Sequence, residues 1–366
     1  MLRQTLSARL VLLALIASSS VAVADQATKP LAVSTIAGIA LQSGSNDSPN
    51  ARFFTPVSIA TDRAGNVYVL DTNNHTVRKI APGGTVSTLA GVPGQPGSND
   101  SPNARFNHPV GMVATPDGTL YVTDLLNHTV RKITPDGTVS TVAGTVGVAG
   151  SFDGVGLTAQ FNGPENIVVD KSGSLIVADT FNHLIRKVSP SGVVSTIAGM
   201  ALVSGVTDSP GALFNYPIGV AVDSAGNILV SDSFNHTIRR ISPTGVVSTI
   251  AGLPGSLGYA NGSGNVVRFN VPTALAIDKH DNLFVTDTRN HVVRKITKAG
   301  EVSTVAGTGG VAGIADGIAE AARFNTLQGI AVFRKGFGLY VSDTENHTVR
   351  KLVPVEIGSD DPQRDD

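Results

Sequence analysis

The chain contains no cysteine and no tryptophan. Without cysteine there is no disulfide, no thiolate nucleophile, no Cys-ligated zinc and no lipid-modified cysteine, so stability has to come from packing and chain closure. Only 5% of residues are aromatic, with five Tyr, which is thin for a surface that stacks sugars or bases. Neither sign of charge dominates, with 27 Lys and Arg against 28 Asp and Glu, and nucleic-acid binding needs a basic face. No apolar run approaches the roughly 20 residues that span a bilayer.

The one notable apolar run, LVLLALIA (10–17), follows Arg3 and Arg9 and precedes a small-x-small pattern at Ala22-Val23-Ala24. This is the layout of a cleaved secretory leader over residues 1–24, the alternative being an uncleaved anchor. Its removal takes two Arg and no acid, so the formal charge of −1 becomes −3. The expected destination is periplasm or medium, and a leader without cystines suits a bacterial periplasm. A linker is expected over 25–32, and residues 354–366 read as an acidic, disordered tail.

What is abundant is turn residues, 40 Gly and 19 Pro, in a 366-residue chain. That length is large for one compact domain unless the domain is a closed repeat array, and self-similarity is immediate. GSNDSPNARF occurs at 44–53 and again at 97–106. Six segments follow one pattern: DTNNHTVRKI (71–80), DLLNHTVRKI (124–133), DTFNHLIRKV (179–188), DSFNHTIRRI (232–241), DTRNHVVRKI (287–296) and DTENHTVRKL (343–352). A second marker, VST-x-AG, also recurs six times, from 33–38 to 302–307. A third is a Phe at 53, 106, 161, 214, 269 and 324.

Within one unit, PVGMVA (109–114), TLYVTD (119–124), NHTVRKI and TVSTVAG (138–144) read as four short strands separated by TPDG turns. Six such sheets in series predict an all-β, six-bladed β-propeller of four-stranded antiparallel blades. The chain starts with a spare VST strand and its last unit lacks one. Strand 33–38 should therefore complete the blade of residues 327–352 and close a single domain over 33–353.

The Asn-His-x-x-Arg-Lys units resemble NHL repeats, and DTFNHLIRKV carries the three letters of that name. The resemblance covers about residues 33–352. It implies the propeller fold but says little of function, because such propellers include enzymes, ligand sensors and scaffolds.

The motif residues are Asp71, His75 and Arg78; Asp124, His128 and Arg131; Asp179, His183 and Arg186; Asp232, His236 and Arg239; Asp287, His291 and Arg294; and Asp343, His347 and Arg350. Six of the eight histidines are among them. A copy in every blade, spread around a ring, points to structure rather than to one active site. Each His and the Asp four residues before it are expected to tie their own turn together, and the Arg to pair between strands or blades. In GSNDSPNARF, Asp47-Ser48-Pro49 predicts a cap and a single helical turn, with Phe53 between blades and Arg52 over the seam. The other copies, such as SFDGVGLTAQF (151–161) and YANGSGNVVRF (259–269), read as degenerate versions, and the stretch as fold punctuation more than as a repeated ligand contact.

Function is expected at the channel mouth, where blades differ. At the start of the inner strands one polar cluster stands out: His108, Glu165, Asn166 and Tyr216, with Gln328 opposite. Calcium-dependent lactonases of the gluconolactonase type, also six-bladed, imply a Ca²⁺ site there. Glu165 and Asn166 offer two ligands, whereas a hard cation takes about six or more oxygens. Peptidyl-amidoglycolate lyases, closer in repeat type, imply zinc histidines directly after the strand-opening Pro, and none of the six equivalent positions here is His. Only His108 and His280 lie outside the motif, and no Gly-x-Ser-x-Gly elbow is present. The sequence thus favours a monomeric, non-enzymatic module that binds a protein, peptide or small ligand on its rim. No cofactor is expected beyond an open question over Ca²⁺, and no nucleic-acid partner. A metal-dependent hydrolase or lyase is the alternative.

Overall fold

The computed structural model describes residues 29–333 and 337–355. The expected leader, the first half of the linker and all but the first residues of the tail fall outside that range. Six antiparallel sheets follow one another in chain order. In the first blade, strands Pro56–Thr61, Val67–Asp71, Thr76–Ile80 and Val86–Ala90 run from the channel outward. Inner strands such as Pro56–Thr61 are edge strands, which is why they tolerate a leading proline that cannot donate to a ladder. Each carries a bulge just after its first residue, as between Pro56 and Ile59, which re-aims the side chains at the channel mouth.

The inner strand of the sixth blade, Leu327–Val332, lies beside that of the first. Strand Leu31–Ala37 pairs antiparallel with Thr348–Pro354, with Val33 opposite Leu352, so the chain's first strand completes its last blade. This strand begins two residues before the expected boundary, because Leu31 is buried and paired with Pro354.

The core is divided among the seams. Phe53 is fully buried among Ala37 and Val349 of the sixth blade and Ile59, Val69 and Ile80 of the first. Each of the six recurring phenylalanines is fully buried in the same way.

Asp47-Ser48-Pro49 does not form the expected helical turn. The chain makes a non-helical turn with a cis Ser48–Pro49 peptide. Ser48 donates its N–H to Val86 O (3.1 Å) and accepts the Val86 N–H on its hydroxyl (2.8 Å). Ser101 and Ser209 do the same before the second and fourth blades. The remaining connectors are a different device rather than decayed copies. Gly154–Val155, Gly262–Ser263 and Gly317–Ile318 each add a two-residue fifth strand to the outer edge of the third, fifth and sixth blades. Their two extra residues explain the His-to-His steps of 55 where the serine connectors give 53, and the step of 56 has one further residue between Phe324 and His347, within the sixth blade.

Candidate functional site

The motif residues form one network per blade. Asp71 is buried at the end of the second strand. Its Oδ1 accepts the Phe54 N–H (2.7 Å), and its Oδ2 accepts from Asn74 Nδ2 (2.8 Å) and Arg78 Nη1 (2.7 Å). The other guanidinium nitrogen, Arg78 Nη2, donates to Asp47 Oδ1 and to Asn46 O, both at 2.7 Å. The guanidinium lies 5.2 Å from the centre of the Phe53 ring, within cation–π range. The arrangement recurs with Arg131 between Asp124 and Asp100, Arg186 between Asp179 and Asp153, Arg239 between Asp232 and Asp208, and Arg350 between Asp343 and Asp316. In the fifth blade Arg294 binds Asp287 and, in place of an acid, Asn261 Oδ1 (2.8 Å). Burial pushes each strand-end carboxyl up to about 6, and the guanidinium and the other donors keep it ionised at neutral pH. Arg52 joins this network only through its backbone oxygen, which accepts from Arg78 Nη1 (2.9 Å), and lays its stem against Gly44.

The histidines do not bond the aspartate of their own turn. Each ends a short 3-10 turn in the left-handed conformation, His75 at φ 58°. Its Nδ1 then accepts the N–H of the residue that leads into the next blade: His108 onto His75 (3.2 Å), Gly163 onto His128 (3.2 Å), Tyr216 onto His183 (3.1 Å), Val271 onto His236 (3.2 Å), Thr326 onto His291 (3.1 Å) and Thr55 onto His347 (3.3 Å). Burial lowers the pKa of the first five, which suits a neutral ring accepting at Nδ1. The motif therefore clamps each blade to the next.

Where the DTxNH turns emerge, the inner strands open into a cavity of about 730 Å³, a volume typical of small-molecule sites. Three of the five candidate residues line it: Glu165, Asn166 and Gln328. The other two do not. His108 and Tyr216 sit at left-handed positions, φ 54° and 49°, as do Val271 and Thr326, which line the cavity, but their rings pack on the preceding blade's motif histidine instead. The centroid distances are 4.8 Å (His75–His108) and 4.7 Å (His183–Tyr216).

Glu165 is held from the neighbouring blade. The Thr123 hydroxyl donates to its backbone oxygen, and the approach is so close that a Cβ on Gly111 would lie 1.9 Å from that oxygen. The carboxyl itself has no hydrogen-bond donor or cation beside it among the described residues, and burial pushes it up to about 7. Asn166 Oδ1 accepts the Ile167 N–H (2.8 Å). Its side chain also borders a second cavity of about 350 Å³ at the opposite end of the inner strands, near Asp278 and Lys279. Val57, Val110 and Ile218 give the main cavity apolar walls, and Thr273 and Arg289 add polar groups. Arg289 was missed because it lies inside the repeat motif. The middle letter of DTxNH varies (Asn73, Leu126, Phe181, Phe234, Arg289, Glu345), and that variable column was the available signal. Among the described residues, no group of three His, Asp or Glu is placed to hold a metal ion, and no helix is long and apolar enough to cross a membrane.

A sequence model of the Teneurin NHL domain matches residues 204–360, and the NHL repeat model matches residues 55–80 and 106–133. NHL repeat-containing protein 2 of Bos taurus is 28% identical over 344 residues, covering 83% of this chain and 47% of that protein. The chain thus spans about half the length of that relative. An auxiliary nutrient binding protein from Bacteroides thetaiotaomicron superposes with a TM-score of 0.68 at 17% identity, covering 88% of this chain and 76% of that one. A catalytically inactive virginiamycin B lyase from Staphylococcus aureus gives 0.52 at 13% identity, covering 82% and 80%. At such identities the superpositions speak for the fold alone. With six copies of the motif, matches to the repeat models and the closed ring of six sheets, the chain belongs to the NHL-repeat β-propellers.

Proposed function

We propose that this propeller is a non-catalytic binding module, and that its ligand (protein, peptide or small molecule) is anchored at the channel mouth on the face of the DTxNH turns. The observation that carries this reading is the cavity of about 730 Å³, where six otherwise equivalent blades present five different side chains, Val57 and Val110 alone being alike. The donor set supports binding over metal-assisted hydrolysis or lysis. Among the described residues Glu165 is the one acid lining the cavity, and one carboxylate with neighbouring amides falls short of the ligand sets of hard cations or zinc. The leader pattern of residues 1–24 supports action outside the cytoplasm, in periplasm or medium.

The test is a thermal-shift and NMR screen of small ligands and peptides against the full chain. A hit should raise the melting temperature, lose its effect with Gln328→Ala, and keep it with Thr244→Ala, in an exposed turn at the opposite end of the strands. Turnover of a lactone or an amidoglycolate that disappears in Glu165→Gln would overturn the reading in favour of an enzyme. So would one tightly bound Ca²⁺ or Zn²⁺ per chain whose removal by chelator lowers the melting temperature.

A further inference from the structure

The mouth is electrostatically one-sided. Glu165 projects into it from the third blade with no donor or counter-charge on its carboxylate among the described residues. A carboxylate partly withdrawn from water and left unpaired is unfavourable, and a partner that brings a positive charge relieves that penalty. The other ionisable groups lining the cavity are Arg289, which is exposed, and His291, whose Nδ1 is engaged by the Thr326 N–H. Neither belongs to the blade that carries Glu165 or to its neighbours.

The rim above this blade is unlike the rest. Phe181 sits against Gly163, two residues before Glu165. Its ring meets that of Tyr216 at 6.0 Å, and Tyr216 meets Phe234 at 5.0 Å. The three rings keep 40%, 37% and 50% of their surface in solvent. In the fifth, sixth and first blades the positions equivalent to Phe181 and Phe234 are Arg289, Glu345 and Asn73. An aromatic ledge therefore stands beside the blade with the unpaired acid, and Val57, Val110 and Ile218 line the cavity below.

We infer that the mouth takes a small organic cation, a protonated amine on an apolar or aromatic body, with the ammonium on Glu165 and the body against the Phe181–Tyr216–Phe234 ledge. This rests on the binding-module reading and deepens it. Aromatic faces favour such ligands twice, through apolar contact and through cation–π attraction. A bare divalent ion is a poorer match because the surrounding oxygens are too few. Glu165 has to be ionised to hold an ammonium. With its carboxyl pushed up to about 7, affinity should strengthen as pH rises through neutrality, and binding should release a proton.

The experiment is calorimetric titration of the full chain with benzylamine, benzyl alcohol and benzoate, which share a body and differ in charge. At about pH 8 the amine should bind about tenfold tighter than the alcohol, and that advantage should shrink severalfold at about pH 5.5. Glu165→Gln should erase the advantage, and Phe234→Ala should weaken amine and alcohol alike. Thermal melts establish that both variants are folded. If amine and alcohol bind equally, or if Glu165→Gln keeps the preference, the cation site is refuted. Tighter binding of the alcohol or benzoate refutes it while leaving a binding mouth. If none of the three binds, both the inference and the small-ligand form of the binding reading fall.

Discussion

The rim network and the channel mouth are built from the same six repeats and obey opposite rules. On the rim every blade repeats the same bonds: the strand-end Asp to Arg distance is 2.7 Å in five blades and 2.6 Å in the sixth. The guanidinium lies 5.1–5.3 Å over its Phe in all six. At the mouth the equivalent positions are Val57, Val110, Glu165, Ile218, Thr273 and Gln328, and only the first two blades agree. A residue copied around a ring answers a requirement that every seam shares. A residue that occurs once answers a requirement of one place.

Breaking the rim should have the largest effect. Arg131→Ala leaves Asp124 buried without its counter-charge and should destabilise by about 3–5 kcal/mol, read by chemical denaturation. If the loss is under about 1 kcal/mol, the network is not what clamps the blades. Next comes the boundary between the two regions. Gly111→Ala would drive a Cβ to 1.9 Å from Glu165 O and 2.8 Å from Asn166 Cα, with an expected cost of about 1–3 kcal/mol and a disturbed mouth. The fifth blade carries Ala274 at the equivalent position, so Ala274→Gly should leave the mouth intact.

Glu165→Gln should move stability the other way. Burial pushes the folded-state carboxyl up to about 7 from its ordinary value of 4.5, so the native state holds this proton more tightly than the unfolded chain. Stability from this group is fully present below about pH 4.5 and is lost as pH rises through about 7. A glutamine cannot ionise. The variant should therefore exceed the parent by about 2 kcal/mol near pH 8, a figure reduced for solvent in the channel, and match it near pH 4. Identical melts at both pH values would mean that channel water solvates the carboxylate fully.

The smallest effect should come from the outer arm of the network. Asp100 is 47% exposed in its bond to Arg131, and the fifth blade already uses Asn261 there. Asp100→Asn should cost less than about 1 kcal/mol, and high salt should shrink the difference further.

Much of this architecture was readable in the chain. The six NH-x-x-R units, the recurring Phe and the spare first strand lead directly to a closed six-bladed ring, because each marker answers a local rule of strand, turn or seam. The connectors were read less well. SFDGVGLTAQF looked like a worn copy of GSNDSPNARF, yet the 55-residue step already recorded two extra residues, and they pair as a fifth strand with Val193 and Val194. The histidine's partner was also misplaced. Its acceptor role is satisfied 33–35 residues downstream, in a blade that the turn itself does not reveal.

The sequence by itself determined the fold, the repeat count and the way the ring closes, since those follow from periodic apolar strands, turn residues and the order of the markers. Only the tertiary structure decided which variable residues meet. It brought Glu165, Asn166 and Gln328 to one cavity and turned His108 and Tyr216 away from it. The physical reason lies in the seam: in every blade the residue two places after the left-handed position faces the channel, while at the left-handed position itself the rings of His108 and Tyr216 pack on the previous blade's histidine and the smaller Val271 and Thr326 still border the cavity. A one-dimensional alignment of repeats shows that these positions differ, but their direction is set by dihedral angles and by the neighbour across the seam.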